Sequence, residues 1–236
     1  MFQNRGGMFG GVPPVTLNLL IITAICYVAQ ILLGNAGIDV TNYLGLHFFK
    51  ADSFYPHQLI TYIFMHGGFM HMFFNMFAVF MFGRTLELVW GPKRFLFYYI
   101  ITGIGAGVAQ ELVWMFEMRD IVFNADINSI DIGRGILDRS AFFNLFVTVG
   151  ASGSVFGILI AFGMLFPNAE LMMIPIPIPI KAKYFVILYG VLELYLGVAN
   201  TAGDNVAHFA HLGGLVTGLI IVLYWKRQNR NNGRFF

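Results

Sequence analysis

Six stretches of largely apolar residues, separated by charged, glycine-rich or proline-rich segments, constrain this chain more than any other feature. They cover residues 15–33, 63–90, 95–116, 141–166, 184–198 and 206–225. Most are long enough to cross a hydrocarbon core of about 30 Å at about 1.5 Å per helical residue. Only 11% of the 236 residues are charged and 58% are hydrophobic, so polar side chains could not cover a water-exposed surface. The sequence predicts an all-α, polytopic membrane protein with six transmembrane helices in one bundle.

The predicted organisation is one membrane domain over residues 14–225, with a short tail at 1–13 and a basic tail at 226–236. With a cytoplasmic N-terminus, the cytoplasmic side would hold Arg5, Lys93, Arg94, Lys181, Lys183, Lys226, Arg227, Arg230 and Arg234. The other side would hold only Lys50, Arg119, Arg134 and Arg139. This bias predicts that both termini are cytoplasmic. The first apolar stretch lacks a cleavage pattern and is typical of a retained span, which with the minimal six spans favours a bacterial cytoplasmic membrane.

The charges of the chain are few and nearly balanced, with 14 basic and 12 acidic side chains. A nucleic-acid surface needs a concentrated basic patch. The sequence therefore predicts the lipid bilayer as a partner and no nucleic acid. Cys26 is a lone cysteine within an apolar run, which excludes both an internal disulfide and a cysteine-based metal site.

Four histidines, at positions 66, 71, 208 and 211, lie within or at the edge of apolar stretches, where polar groups are costly. His71 and Asn75 are four residues apart and share one helical face. His66 precedes Gly67 and Gly68, so we expect it at the outer end of the second span, stabilising a loop by a hydrogen bond. Interhelical hydrogen bonding is an alternative role for the histidines and the asparagine.

Small residues on the fourth and sixth stretches predict a close contact between two helices. His211, Gly214 and Gly218 follow the spacing i, i+3 and i+7, which continues a glycine stripe directly below the imidazole. Gly153 and Gly157 offer a complementary face on the fourth stretch. Because small residues let helix backbones approach in lipid, we expect His211 to lie against the fourth helix.

Ser152 is the predicted partner of His211. The stretch from Ser152 to residue 166 is too short to cross the membrane, so Ser152 would lie at a helix N-terminus within the bilayer. A capping role would explain the serine alone. A hydroxyl within reach of a neutral imidazole is, however, a potential nucleophile, and the Ser152 backbone N–H, Asn75 and His71 could donate to an oxyanion. Asp204 is too near the outer loop to orient His211, and no feature of the sequence places Glu193, on the fifth stretch, beside it. The sequence therefore predicts a dyad without an orienting acid.

Three ordered motifs carry a family resemblance: His66-x4-His71-x3-Asn75, then Gly150-Ala-Ser-Gly153, then Ala210-His211-Leu-Gly-Gly-Leu-x2-Gly218. Together they closely resemble the rhomboid intramembrane serine proteases, over roughly residues 14–225. The resemblance implies Ser152 as nucleophile, His211 as general base, and His71 and Asn75 on the oxyanion side. It implies supporting roles for His66, Glu87, Gly150, Gly153, Phe156, Gly157, Gly214 and Gly218. Among these, Glu87 would be structural at the inner end of the second helix.

The sequence departs from the family's pattern at two places. His57-Gln58 stands where many members have a Trp-Arg pair, so the anchoring of the first loop is open. Phe156 stands where some members have a tyrosine stacked on the base. Neither departure changes the proposed dyad.

The resemblance implies hydrolysis of peptide bonds in or near transmembrane segments of other membrane proteins, without a cofactor or metal. One alternative is an inactive rhomboid-like protein that binds membrane clients. Another is a metal or haem protein that uses His66, His71, His208 and His211. The spacing argues against the latter, because His66 and His71 are five residues apart and would diverge on a helix.

Overall fold

The structure is a computed structural model that describes residues 11–124, 126–172, 179–199 and 207–231. Parts of the sequence predictions lie outside these ranges: most of the N-terminal tail, the prolines at 175 and 177, Asp204, the first residue of the sixth stretch and the last five residues of the chain. α1 begins at Pro14, and the last helix continues beyond residue 225 to Asn231.

Among the described residues, five helices are long and apolar enough to cross a membrane. They are α1 (Pro14–Asn35), a continuous helix over Phe69–Trp90, α6 (Pro92–Glu117), α10 (Ala182–Ala199) and α11 (His208–Asn231). The second of these consists of α4 (Phe69–Ala78), a π-helical segment (Val79–Gly83) and α5 (Arg84–Trp90). The predicted polytopic, all-α membrane bundle is confirmed, whereas the predicted number of six spans stays a prediction.

The fourth apolar stretch is not one helix. It contains α8 (Arg139–Phe143), β4 (Val147–Thr148) and α9 (Ser152–Leu165). Gly150 has φ 128°, a backbone conformation that glycine adopts readily and that a helix cannot contain. The apolar helix of this stretch therefore begins at Ser152 and is the short helix that the length argument predicted.

Short elements connect the long helices. The remaining helical pieces are α2 (Val40–Leu44), α3 (Gln58–Thr61), a 3₁₀ turn (Tyr62–Phe64) and α7 (Arg119–Phe123). Three antiparallel pairs join β1 (Leu46–His47) to β4, β2 (Ser129–Asp131) to β3 (Ile136–Asp138), and β5 (Glu170–Met172) to β6 (Pro179–Lys181). The described residues on either side of the proline-rich segment before α10 form the antiparallel β5–β6 pair.

α9 is mostly buried, and α6 and α11 pack closely against it and against each other. The Cβ position of Gly153 faces the side chain of Ala106 on α6, and that of Gly157 faces Thr102. The Tyr98 hydroxyl, also on α6, donates to the Gly157 carbonyl oxygen at 2.6 Å. The missing side chains of Gly153 and Gly157 thus allow α6 to pack closely on one side of α9. On the other side, the backbone atoms of these glycines can contact α11 directly.

The contact between α9 and α11 is made by backbone atoms. A Cβ on Gly214 would overlap the carbonyl oxygen of Gly153 and lie 2.7 Å from its carbonyl carbon. A Cβ on Gly218 would lie 3.0 Å from the Cα of Gly157. Only hydrogen fits at these two positions, so the predicted approach of the glycine stripe to the fourth helix is present.

Glu87 joins the second span to the beginning of α1. Its carboxylate is 2% exposed and accepts three hydrogen bonds: from the Val15 N–H at 2.9 Å, the Thr16 N–H at 2.7 Å and the Thr16 hydroxyl at 2.8 Å. The first N–H groups of a helix have no intrahelical partner, and an acceptor with negative charge suits that end. These contacts connect two helices through Glu87, and the structural role that the resemblance implies for it stays a prediction.

Candidate active site

Ser152 is the first residue of α9. The Gly150 N–H donates to the Tyr62 carbonyl oxygen at 2.9 Å, which fixes the preceding turn against the 3₁₀ segment. The nearby Ser154 is buried and donates to the Tyr99 carbonyl oxygen at 2.8 Å. Of the two hydroxyls in this turn, Ser152 is therefore the one directed towards α11.

The Ser152 hydroxyl and the His211 imidazole meet across α9 and α11. Ser152 Oγ lies 2.7 Å from His211 Nε2. The Phe156 ring stacks on the imidazole with centroids 4.6 Å apart and an interplanar angle of 11°. The structure therefore brings together the two residues that the sequence paired, and the Phe156 ring occupies the stacking position that the resemblance implied.

His71 and Asn75 lie on α4, near the turn that precedes Ser152. A Cβ on Gly150 would lie 2.8 Å from His71 Nε2 and 3.7 Å from Ser152 Oγ, so glycine is needed for the imidazole to approach this turn. The Asn75 amide donates to the His71 carbonyl oxygen at 3.0 Å, and its second N–H is a further potential donor. Both residues line one cavity with Ser152 and His211.

His66 precedes α4 and faces the turn before Ser152. Its Nε2 lies 3.4 Å from the Ala151 N–H, and its Nδ1 lies 3.4 Å from the Phe64 carbonyl oxygen. Burial and the neighbouring His71 lower the pKa of His66 to about 4, so the ring is neutral and can accept at Nε2 while donating at Nδ1. These contacts agree with the loop-stabilising role expected for it.

The prediction that His66 and His71 diverge is wrong. Their ring centroids are 5.1 Å apart. The spacing argument assumed that both residues lie on one helix, but α4 begins at Phe69, so His66 belongs to the preceding loop and folds back over His71.

The prediction that no acid stands where it could orient His211 is wrong, because an acid lies beside its imidazole. Glu193 Oε2 lies 2.9 Å from His211 Nδ1 and 2.6 Å from His208 Nδ1. Glu193 is on α10 and is 7% exposed. An acidic residue in an apolar span indicates that its carboxylate faces the bundle interior and has a polar partner there. The sequence could not show which histidine Glu193 would contact.

The cavity beside Ser152 has a volume of about 760 Å³. Much of its lining is apolar and aromatic, and its polar residues are His71, Asn75, Thr148, Ser152, Glu193 and His211. An apolar cavity with a few convergent polar groups is typical of a substrate site. The same space gives solvent-sized molecules access to the hydroxyl and the imidazole.

The first loop is anchored by Gln58, at the position where the family pattern is absent. Gln58 is fully buried. Its amide donates to the Ser53 carbonyl oxygen at 2.8 Å, and its Oε1 accepts from the N–H groups of Tyr55 and His47 at 3.2 and 3.3 Å. The neighbouring His57 ring lies 3.1 Å from the Tyr43 carbonyl oxygen. The side-chain amide of Gln58 thus anchors the first loop, whose anchoring the resemblance left open.

Glu193, His208 and His211 are the three side chains with metal-binding spacing among the described residues, with ligand atoms within 4.8 Å of one another. This set differs from the four-histidine alternative, since it includes an acid and excludes His66 and His71. Carboxylate and imidazole suit zinc, but here both Nδ1 atoms already lie within hydrogen-bonding distance of one carboxylate oxygen. The sequence prediction of no metal stays a prediction.

Residues 54–228 match the Rhomboid domain family. The chain is 27% identical over 165 residues to RHOMBOID-like protein 6, mitochondrial, of Arabidopsis thaliana, covering 70% of this chain and 42% of the relative. It is 28% identical to the Rhomboid protease AarA of Providencia stuartii over 66% of this chain and 51% of the relative. For the Putative rhomboid protease YdcA of Bacillus subtilis the identity is 27%, over 70% of this chain and 64% of the relative.

These matches span between 42% and 64% of the length of the three relatives. The family match covers well over half of this chain and includes the second, fourth and sixth apolar stretches, from which the site is built. The chain belongs to the rhomboid family.

Proposed function

We propose that the chain is an intramembrane serine endopeptidase, with Ser152 as nucleophile and His211 as general base. The observation that carries the proposal is the 2.7 Å separation of Ser152 Oγ and His211 Nε2 across two helices in glycine contact. Names of relatives in the family, such as the Rhomboid protease AarA, support the same reaction class.

In the proposed reaction, His211 Nε2 takes the hydroxyl proton as Ser152 Oγ attacks the substrate carbonyl carbon. The resulting oxyanion is stabilised by the Ser152 backbone N–H, the Asn75 amide and His71. His211 then returns the proton to the leaving amine, and water from the cavity hydrolyses the acyl-enzyme. The reaction needs no cofactor.

The proposed substrates are other transmembrane proteins within the bilayer. A peptide bond in a lipid-spanning helix is shielded by its own hydrogen bonds, so the substrate must unwind locally before Ser152 can reach it. We expect small or helix-breaking residues near the cleaved bond. The domain proposed to perform this reaction is residues 14–225. The excess of basic residues in the loops on one side supports cytoplasmic termini, and the minimal set of six predicted spans is the ground for proposing a bacterial cytoplasmic membrane.

Reconstitution of the full chain with a fluorogenic transmembrane substrate tests the proposal. We expect Ser152→Ala and His211→Ala to abolish cleavage while the thermal unfolding midpoint remains near that of the wild type. Ser154→Ala is the matched control, because it removes a hydroxyl from the same turn and loses only the hydrogen bond to Tyr99. Its cleavage rate should stay within about threefold of the wild type.

Two results would contradict the proposal. Cleavage that persists in Ser152→Ala would exclude the nucleophile. Substrate binding without any cleavage by the wild type would instead favour the inactive, client-binding alternative.

A further inference from the structure

Glu193 is an unusual residue for its position. It is 7% exposed, whereas its neighbours Val191, Leu192 and Leu194 are among the exposed apolar side chains of α10. A charged side chain within a membrane helix is costly, and such residues almost always pair with another polar group. The carboxylate therefore needs partners that offset this cost, and the structure provides two on α11.

Both partners meet the same carboxylate oxygen. Glu193 Oε2 lies 2.6 Å from His208 Nδ1 and 2.9 Å from His211 Nδ1. The two imidazoles come from one turn of α11 and are nearly perpendicular, with an interplanar angle of 87°. His208 thus holds the carboxylate from one side while the carboxylate holds His211 from the other.

The contact has a direct consequence for the base. An imidazole that accepts the Ser152 proton at Nε2 must carry its own proton at Nδ1. Glu193 Oε2 is placed to accept a hydrogen bond from the Nδ1–H group of His211. The carboxylate therefore favours this tautomer and fixes the plane of the ring. When Nε2 gains the Ser152 proton, the imidazolium lies 2.9 Å from a negative charge in a partly desolvated cavity, where such attraction is stronger than in water.

We propose that Glu193 is a positioning residue that orients His211 and stabilises its protonated form, and that His208 holds Glu193 in place. The inference rests on the proposed function, since it assigns a role within the same reaction. It extends the Ser152–His211 pair by an acid on a third helix, with the arrangement serine, histidine and carboxylate in hydrogen-bonding sequence.

The test uses the full chain in proteoliposomes with the fluorogenic transmembrane substrate. Glu193→Gln preserves the shape and an acceptor oxygen but removes the charge. We expect kcat to fall by between about 10²-fold and 10⁴-fold, the range from one general-base contribution to loss of the acid in a complete triad. We expect KM to stay within about twofold, because the carboxylate acts on the base.

Glu111→Gln is the matched control. Glu111 is a partly buried acid of α6 that accepts from the Phe49 N–H at 2.9 Å, away from the Ser152–His211 pair. We expect its kcat and KM to equal those of the wild type. Similar losses in both variants would mean that any neutralised acid within a span disturbs the bundle, and would overturn the inference.

Labelling with a fluorophosphonate separates positioning from folding. The rate constant for labelling Ser152 should fall in Glu193→Gln, whereas the final stoichiometry should remain that of the wild type. A lower final stoichiometry at an unchanged rate constant would show a purely structural role and overturn the inference.

If Glu193→Gln does not fold, Glu193→Asp is tested in its place, because aspartate keeps the negative charge but holds it farther from His211. There we expect kcat to fall at least about tenfold, and a wild-type kcat would overturn the inference.

Two further outcomes are decisive. Wild-type kcat in Glu193→Gln, together with no cleavage by Ser152→Ala, would refute the role of Glu193 and leave the proposed function intact. A stoichiometric metal in the purified protein, with cleavage lost on chelation, would make Glu193 a metal ligand and also refute it. Cleavage by Ser152→Ala would instead refute the proposed function itself.

Discussion

Replacing Gly214 with alanine should separate α11 from α9 and disconnect the proposed catalytic pair. The added Cβ would lie 2.7 Å from the carbonyl carbon of Gly153, whereas carbon atoms in ordinary contact are about 3.5 to 4.0 Å apart. A side-chain rotation cannot relieve this contact, because the added Cβ is fixed to the backbone of α11 and the atoms that it meets belong to the backbone of α9. The two helices must therefore move apart by about 1 Å at this point.

That displacement occurs next to the site, since Gly153 follows Ser152 and Gly214 is one turn beyond His211. An increase of about 1 Å in the 2.7 Å distance between Ser152 Oγ and His211 Nε2 exceeds hydrogen-bonding range. A misplacement of this size can lower a catalytic rate about 10²-fold. We expect a loss of that order in kcat for Gly214→Ala.

The effect on stability should be smaller than the effect on catalysis. Overpacking lowers the free energy of unfolding by about 1 to 3 kcal/mol. Replacing a helical glycine with alanine raises it by about 1 kcal/mol. The net free energy of unfolding should therefore fall by about 0 to 2 kcal/mol. The assay is the cleavage rate in proteoliposomes together with the thermal unfolding midpoint of the same preparation.

Gly34→Ala is the control for the chemical change. Gly34 is also helical, but a Cβ there would meet nothing within 4 Å. It should cleave at the wild-type rate. If Gly214→Ala also cleaves within about twofold of the wild-type rate, the close backbone contact does not hold Ser152 to His211, and the reasoning is refuted.

Two other perturbations address residues at opposite ends of the second span. Glu87→Ala should lower the free energy of unfolding by about 3 kcal/mol, because the N–H groups of Val15 and Thr16 lose a buried charged acceptor. Thermal unfolding checks this, and an unchanged midpoint would contradict it. Asn75→Ala should lower kcat by about 10²-fold to 10³-fold with little change in KM, as expected for loss of one oxyanion donor. Steady-state kinetics check this, and an unchanged kcat would remove Asn75 from that role.

The sequence predicted the membrane bundle because hydropathy and length act locally. Long apolar stretches with few charges form helices in lipid regardless of their neighbours, so α1, α6, α10 and α11 follow the predicted stretches to within a few residues at most ends. The short α9 could also be predicted, because too few residues follow Ser152 to cross the bilayer. Its beginning at Ser152 depends on the glycine-rich turn that precedes it.

The pairing of Ser152 with His211 could be predicted for a related reason. The spacing of His211, Gly214 and Gly218 defines one face of one helix, and small residues on that face indicate where a neighbour approaches. The partner helix was suggested by the same property at Gly153 and Gly157. Helical periodicity and residue size, both readable from sequence, were therefore sufficient for this contact.

Other contacts depended on how separate elements are placed against one another. Glu193 meets His211 only because the rotation of α10 about its axis turns one carboxylate towards α11, and no local pattern encodes that rotation. His66 reaches His71 because a loop folds back before α4. The sequence by itself determined which segments cross the membrane and which faces carry polar groups, whereas the tertiary structure decided which of those groups meet, since hydrogen bonds between distant segments require a relative position that only packing provides.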